Sequence, residues 1–166
     1  GWSAAGCWWA VRRAVWLGVG VGGGVALGRV LVWLLWRRLP RLARFVVITA
    51  AGSSLLNTVV KTTVHRLRPV LPHPIAHEPG LSFPSGHAQA AVVGYGVLLL
   101  VFLPILHGSW SRIAVAFAVF MVVPIGFSRV APGVHYFADV VGGFVLGAAW
   151  LASIAALSNA RGDARV

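Results

Sequence analysis

Long apolar runs separated by short polar stretches make up almost the whole chain. A helix needs about 20 mostly apolar residues to cross a bilayer, and five runs approach or exceed that length: 14–36, 45–60, 88–106, 113–130 and 137–157. The second and fourth are short or shade into polar ends. Neither strand-like alternation nor an internal repeat interrupts them, so the pattern predicts an all-α, polytopic transmembrane helical bundle of five or six spans. Residues 1–166 are expected to form a single transmembrane domain.

Composition agrees with this setting. Hydrophobic residues make up 58% of the chain, charged residues only 10%, and mean hydropathy is +0.85, far from an ordinary water-soluble domain. The single cysteine, Cys7, excludes an internal disulfide and any multi-cysteine zinc site, and is expected simply to pack. Glycines cluster at 18–24 inside the first run, where close helix packing is the expected use. Arg29 interrupts the same run and must either snorkel toward the interface near Trp36 or pair inside the bundle.

Fourteen bases stand against three acids, a balance that could suggest nucleic acid. The bases are instead dispersed between apolar runs, with no aromatic and basic platform beside them, so no nucleic-acid partner is expected. Membrane topology accounts for them better. Arg37, Arg38, Arg41 and Arg44 crowd the first connection, Arg112 lies in the third, and Arg161 and Arg165 follow the last run, which makes those segments cytoplasmic by the positive-inside rule. Alternation then puts residues 61–87 and 129–135 together on the opposite side. Lys61, Arg66, Arg68 and Arg129 run against the inside bias there, as expected if a site requires them. Arg12 and Arg13 also fall outside in a five-span arrangement, and a further span preceding Gly1 would resolve that.

Three short pieces on that outer side carry the chemistry. Lys61 and Arg68 are seven residues apart, so a helix continuing at about 3.6 residues per turn would project both from nearly one face. Two cations could then grip one phosphate, with Arg68 supplying a bidentate fork, or both could be interfacial bases that snorkel. Pro69 would stop the helix just beyond. In the second piece, Ser85, Gly86 and His87 stand where a loop enters a span. The unpaired N–H groups and positive dipole end of that helix favour an anion. Ser85 suits an N-cap or a phosphate donor, Gly86 admits close backbone approach, and His87 can protonate a leaving oxygen. In the third, His135 and Asp139 are spaced i, i+4 at the start of the last run, so the carboxylate could hold one ring nitrogen and leave the other to attack phosphorus. Arg129 adds a further guanidinium. Metal chemistry is not expected: His65, His73, His77 and Glu78 lie close in sequence, but Pro72 and Pro74 break any helix that would align them.

With these residues in place, the chain resembles the type 2 phosphatidic acid phosphatase superfamily. Its pattern is K-x6-R-P, then P-S-G-H, then S-R-x5-H-x3-D, and it is met in order by Lys61, Arg68, Pro69, Pro84, Ser85, Gly86, His87, Ser128, Arg129, His135 and Asp139. The resemblance implies a bundle that hydrolyses lipid phosphates at one membrane face, without a cofactor, through a phosphohistidine on His135. Asp139 would orient that histidine and His87 would act as acid and then base. Lys61, Arg68, Ser85, Gly86 and Arg129 would hold the phosphoryl group. An outward-facing site of this kind suits a lipid whose tail stays in the bilayer, with polyprenyl diphosphate the first choice and phosphatidylglycerophosphate, phosphatidate or a polyprenyl-linked sugar phosphate the alternatives. A halide-oxidising enzyme or a non-catalytic lipid binder are the readings from other classes. The binder would be expected to have lost His87, His135 or Asp139, and all three are present.

Overall fold

The computed structural model describes residues 22–69 and 79–160. Cys7, Arg12, Arg13, His73, His77, Glu78, Arg161 and Arg165 lie outside them, as does the segment 14–21 of the first predicted run. Within the described residues five α-helices follow one another: α1 Gly22–Trp36, α2 Pro40–Val64, α3 Gly86–Phe102, α4 Ser109–Val130 and α5 Phe137–Ala160, with a short 3-10 turn at Leu103–Ile105. Four of the described helical segments are long and apolar enough to cross a membrane, and α1 contributes a shorter apolar helix.

Helix boundaries follow from local chemistry. Pro40 opens α2 at its first position, where a missing N–H costs nothing. At the other end His65 takes the left-handed conformation (φ 50°, ψ 31°) and donates its backbone N–H to the Lys61 carbonyl, closing the helix. Arg68 therefore does not sit on a continuing helix with Lys61, as their spacing had suggested. Pro69 biases the residue before it away from helical angles, and α2 ends four residues before Arg68. The base reaches the site from an extended segment. The predicted run 45–60 was correspondingly too short, since α2 extends to include Lys61.

α2, α3 and α5 form the heart of the bundle. At the end away from the motifs, Leu34, Ala43, Val46, Val93, Val97 and Val101 make a buried apolar cluster flanked by Trp33, Phe102, Trp150 and Leu151. The Trp150 indole N–H donates to the Thr49 carbonyl at 2.9 Å, and Gly52 leaves room for the same ring. At the motif end, α5 meets α3 backbone to backbone. A Cβ on Gly143 would lie 2.6 Å from the Ser85 carbonyl oxygen, and one on Gly147 would lie 3.0 Å from that of Gln89. Small residues four apart are the usual means of bringing membrane helices this close. Leu55, Val59, Phe117, Phe120 and Val145 point outward, as suits a lipid-facing surface.

The glycine run of the first predicted span does not serve the same purpose where it is described. A Cβ at Gly23 or Gly24 would meet no atom within 4 Å, so close packing is concentrated on α5 instead. Arg29 is exposed on α1, beside Val25, Val32 and Trp36, which is the orientation of a snorkelling base and not of a pair inside the bundle. Gly143→Ala is expected to lower thermal stability in detergent by about 1–3 kcal/mol, the usual cost of overpacking. Gly23→Ala should leave the melting temperature unchanged.

Candidate active site

Chain reversals bring the C-terminal ends of α2 and α4 and the N-terminal ends of α3 and α5 to one end of the bundle. Each predicted site residue sits there. Ser85 is the N-cap of α3, its hydroxyl accepting the Ala88 N–H at 3.5 Å, and Gly86 and His87 form the first turn. Ser85 is fully buried, while Gly86 and His87 are partly exposed. The Ser85 N–H donates to the Asp139 carbonyl at 2.9 Å, which fastens this turn to the start of α5.

Asp139 lies in the first turn of α5, and its carboxylate reaches back to accept the Tyr136 N–H at 2.8 Å on Oδ2. This is half of a capping box, the side chain at the third helical position satisfying the N–H of the capping residue. His135 consequently stands just ahead of the helix and not on it, a correction to the simple i, i+4 picture. The pair still meets: His135 Nδ1 lies 3.5 Å from Asp139 Oδ2, with 3% of the histidine and none of the aspartate exposed.

The other ring nitrogen is also addressed. Arg68 Nη1 donates to the Val134 carbonyl at 2.8 Å and lies 3.2 Å from His135 Nε2. A guanidinium only donates, so the Arg68 contact calls for a lone pair on Nε2, while Nδ1 faces Asp139. Lys61 Nζ donates to the Leu81 carbonyl at 3.3 Å, and Arg129 is buried at the end of α4. Lys61, Arg66, Arg68 and Arg129 share this end of the bundle with Asp139, the one acidic side chain among the described residues. Cationic side chains gathered beside a helix N-terminus favour an anion.

Two features went unread in the sequence. Arg66 Nη1 pairs with Asp139 Oδ1 at 3.0 Å, and its guanidinium lies 4.2 Å from the centre of the Tyr136 ring. Its charge on the outer side was the one available signal. The second is a polar clamp: Asn57 on α2 donates to Gln89 Oε1 at 2.6 Å, while Gln89 Nε2 donates to the Ser53 carbonyl and hydroxyl, both at 2.9 Å. Polar residues inside apolar helices were its signal, but their pairing needed coordinates.

Residues 41–163 match the family described as the PAP2 superfamily. This chain belongs to that superfamily. A PAP2 relative, "Phosphatidylglycerophosphatase B" of Bacillus subtilis, is 42% identical over 96 residues, covering 56% of this chain and 46% of the relative. The "Bacitracin transport permease protein BcrC" of Bacillus licheniformis is 32% identical over 129 residues, covering 74% of this chain and 59% of that one. The PAP2 chain therefore spans about half the length of the curated relatives it matches. A crystal structure of a transmembrane PAP2-type phosphatidylglycerolphosphate phosphatase from Bacillus subtilis superposes with a TM-score of 0.70 at 28% identity, covering 90% of this chain and 77% of that chain. With its apolar helices and this neighbour, the PAP2 chain is an integral membrane protein.

The clamp beneath the PAP2 motifs yields a direct expectation. Gln89→Leu removes three hydrogen bonds, each worth about 0.6 kcal/mol between membrane helices. The variant should be less stable by about 2 kcal/mol in detergent unfolding.

Proposed function

We propose that this chain is a lipid phosphate phosphatase that works through a phosphohistidine on His135. The observation that carries the reading is the arrangement around that ring, with Asp139 at Nδ1, the Arg68 guanidinium at Nε2 and the N-terminus of α3 alongside. In the first step the Nε2 lone pair attacks phosphorus, the bond from phosphorus to the leaving oxygen breaks, and His87 gives that oxygen its proton. Asp139 stabilises the positive charge that develops on the imidazole. Water then attacks the phosphohistidine, His87 takes a proton from it, the bond from phosphorus to nitrogen breaks, and inorganic phosphate leaves. Lys61, Arg68, Arg129, the Ser85 hydroxyl and the Gly86 N–H hold the phosphoryl oxygens throughout and take up the negative charge of each transition state. No cofactor enters either step.

The substrate in this reading is a phosphate on a lipid whose tail stays in the bilayer. The names of the two phosphatidylglycerol-related phosphatases among the relatives favour phosphatidylglycerophosphate. Polyprenyl diphosphate, the choice that the sequence alone suggested, is the second reading, and its support is the outward-facing site inferred from charge. The positive-inside distribution supports a plasma membrane location with the site on the extracytoplasmic face.

Purified protein in mixed micelles, given phosphatidylglycerophosphate, polyprenyl diphosphate, phosphatidate or diacylglycerol diphosphate in turn, should release phosphate from the first fastest. Preference for polyprenyl diphosphate would transfer the reading to the second lipid. His135→Ala should abolish release while leaving the melting temperature in place, and retained turnover would sink the nucleophile assignment. Asp139→Asn should slow turnover yet leave inhibition by orthovanadate, a mimic of the phosphoryl group, unchanged. Activity should persist in excess EDTA.

A further inference from the structure

The three family motifs leave Arg66 unassigned, since it occupies one of the open positions between Lys61 and Arg68. Its placement is nevertheless defined by several contacts. After His65 turns the chain out of α2, the Arg66 carbonyl accepts the Ser82 N–H at 2.8 Å, and the Ser82 hydroxyl donates to the Leu67 carbonyl at 3.0 Å. Ser82 is fully buried, so this short backbone pairing is fixed. From that anchor the guanidinium reaches over the Tyr136 ring at 4.2 Å to Asp139 Oδ1 at 3.0 Å.

We propose that Arg66 is a positioning residue for the reaction, holding the Asp139 carboxylate in the one orientation that serves His135. This rests on the reading of His135 as nucleophile. A carboxylate on a short side chain turns about its last bond unless both oxygens are held. Here Arg66 holds Oδ1, and the Tyr136 N–H holds Oδ2 at 2.8 Å on the side facing His135 Nδ1. The same pairing sets a full positive charge beside a carboxylate that is entirely withdrawn from solvent. Arg66 thus acts on the histidine through the aspartate, from a side chain that is 39% exposed. A rival role, direct contact with the lipid headgroup, would use the same exposure and must be separated by the test.

The test is a double-mutant cycle on the full chain, using whichever of the four lipids the wild type hydrolyses fastest. Arg66→Gln should lower kcat about 10- to 100-fold, the scale of a small misplacement of a reacting group. KM and orthovanadate inhibition should stay unchanged, whereas Arg68→Gln should weaken orthovanadate inhibition. In the Asp139→Asn background Arg66→Gln should cost almost nothing more, because both changes break the same connection. Arg66→Lys, which keeps the charge without the planar fork, should recover part of the rate. An equal loss in both backgrounds, or a raised KM with kcat preserved, would overturn the proposal and assign Arg66 to the lipid or to loop docking. If Arg66→Gln does not fold, the cycle is run with Arg66→Lys, where the same additivity decides. A wild type that releases no phosphate, or an active His135→Ala, would instead defeat the phosphohistidine reading beneath it.

Discussion

The approach of α5 to α3 at Gly143 sets the geometry on which everything else depends. With no side chain at that position, the Ser85 carbonyl comes close enough to α5 that the Ser85 N–H can bond the Asp139 carbonyl. One motif is thereby fastened to another by backbone alone. Gly147 continues the seam one turn deeper, and Gly142 makes room for the Phe83 ring that precedes the cap. In a bilayer, where lipid tails are as apolar as leucine, such van der Waals contact is a principal source of helix association. The seam that holds the bundle together is also the seam that aligns the site.

Charge is the second organising element. Asp139 alone among the described residues offers a carboxylate, and it meets Arg66, the Tyr136 N–H and His135 at once. Lys61, Arg68 and Arg129 stand at the same end of the bundle. Lys61 donates to the Leu81 carbonyl and Arg68 to the Val134 carbonyl. Carbonyl oxygens satisfy a donor without cancelling its charge, and in the proposed function a phosphate would supply the neutralising charge.

Much of this was legible in the sequence because membrane folds leave few choices. Apolar runs of sufficient length must be helices, and the scarcity of charge makes each motif base conspicuous. Ser85 as a cap was readable for the same reason, since it stands where polar chain gives way to an apolar run. What resisted was local backbone geometry. The spacing of Lys61 and Arg68 fits a helix, yet His65 ends that helix early, and Arg68 arrives by another route. His135 and Asp139 fit i, i+4 on a helix that in fact begins between them. Arg66 was visible as a misplaced charge, but its partner lies 73 residues away and only the fold pairs them. At Gly23 and Gly24, the described part of the glycine run, no close packing is met, because a run of glycines reports small volume and says nothing of what stands opposite.

The clamp of Asn57, Gln89 and Ser53 ties α2 to α3 at a single depth. Lys61 lies one turn beyond Asn57, and Ser85 one turn before Gln89, joined to it by the Gln89 N–H to Ser85 carbonyl bond at 3.0 Å. The two helix ends that carry Lys61 and Ser85 are therefore held on one ladder. When bilayer thickness changes, helices adjust by tilting, and these two must tilt as a pair. Hydrophobic mismatch is then absorbed as reorientation of the whole cradle relative to the membrane surface, with the spacing between its cations preserved.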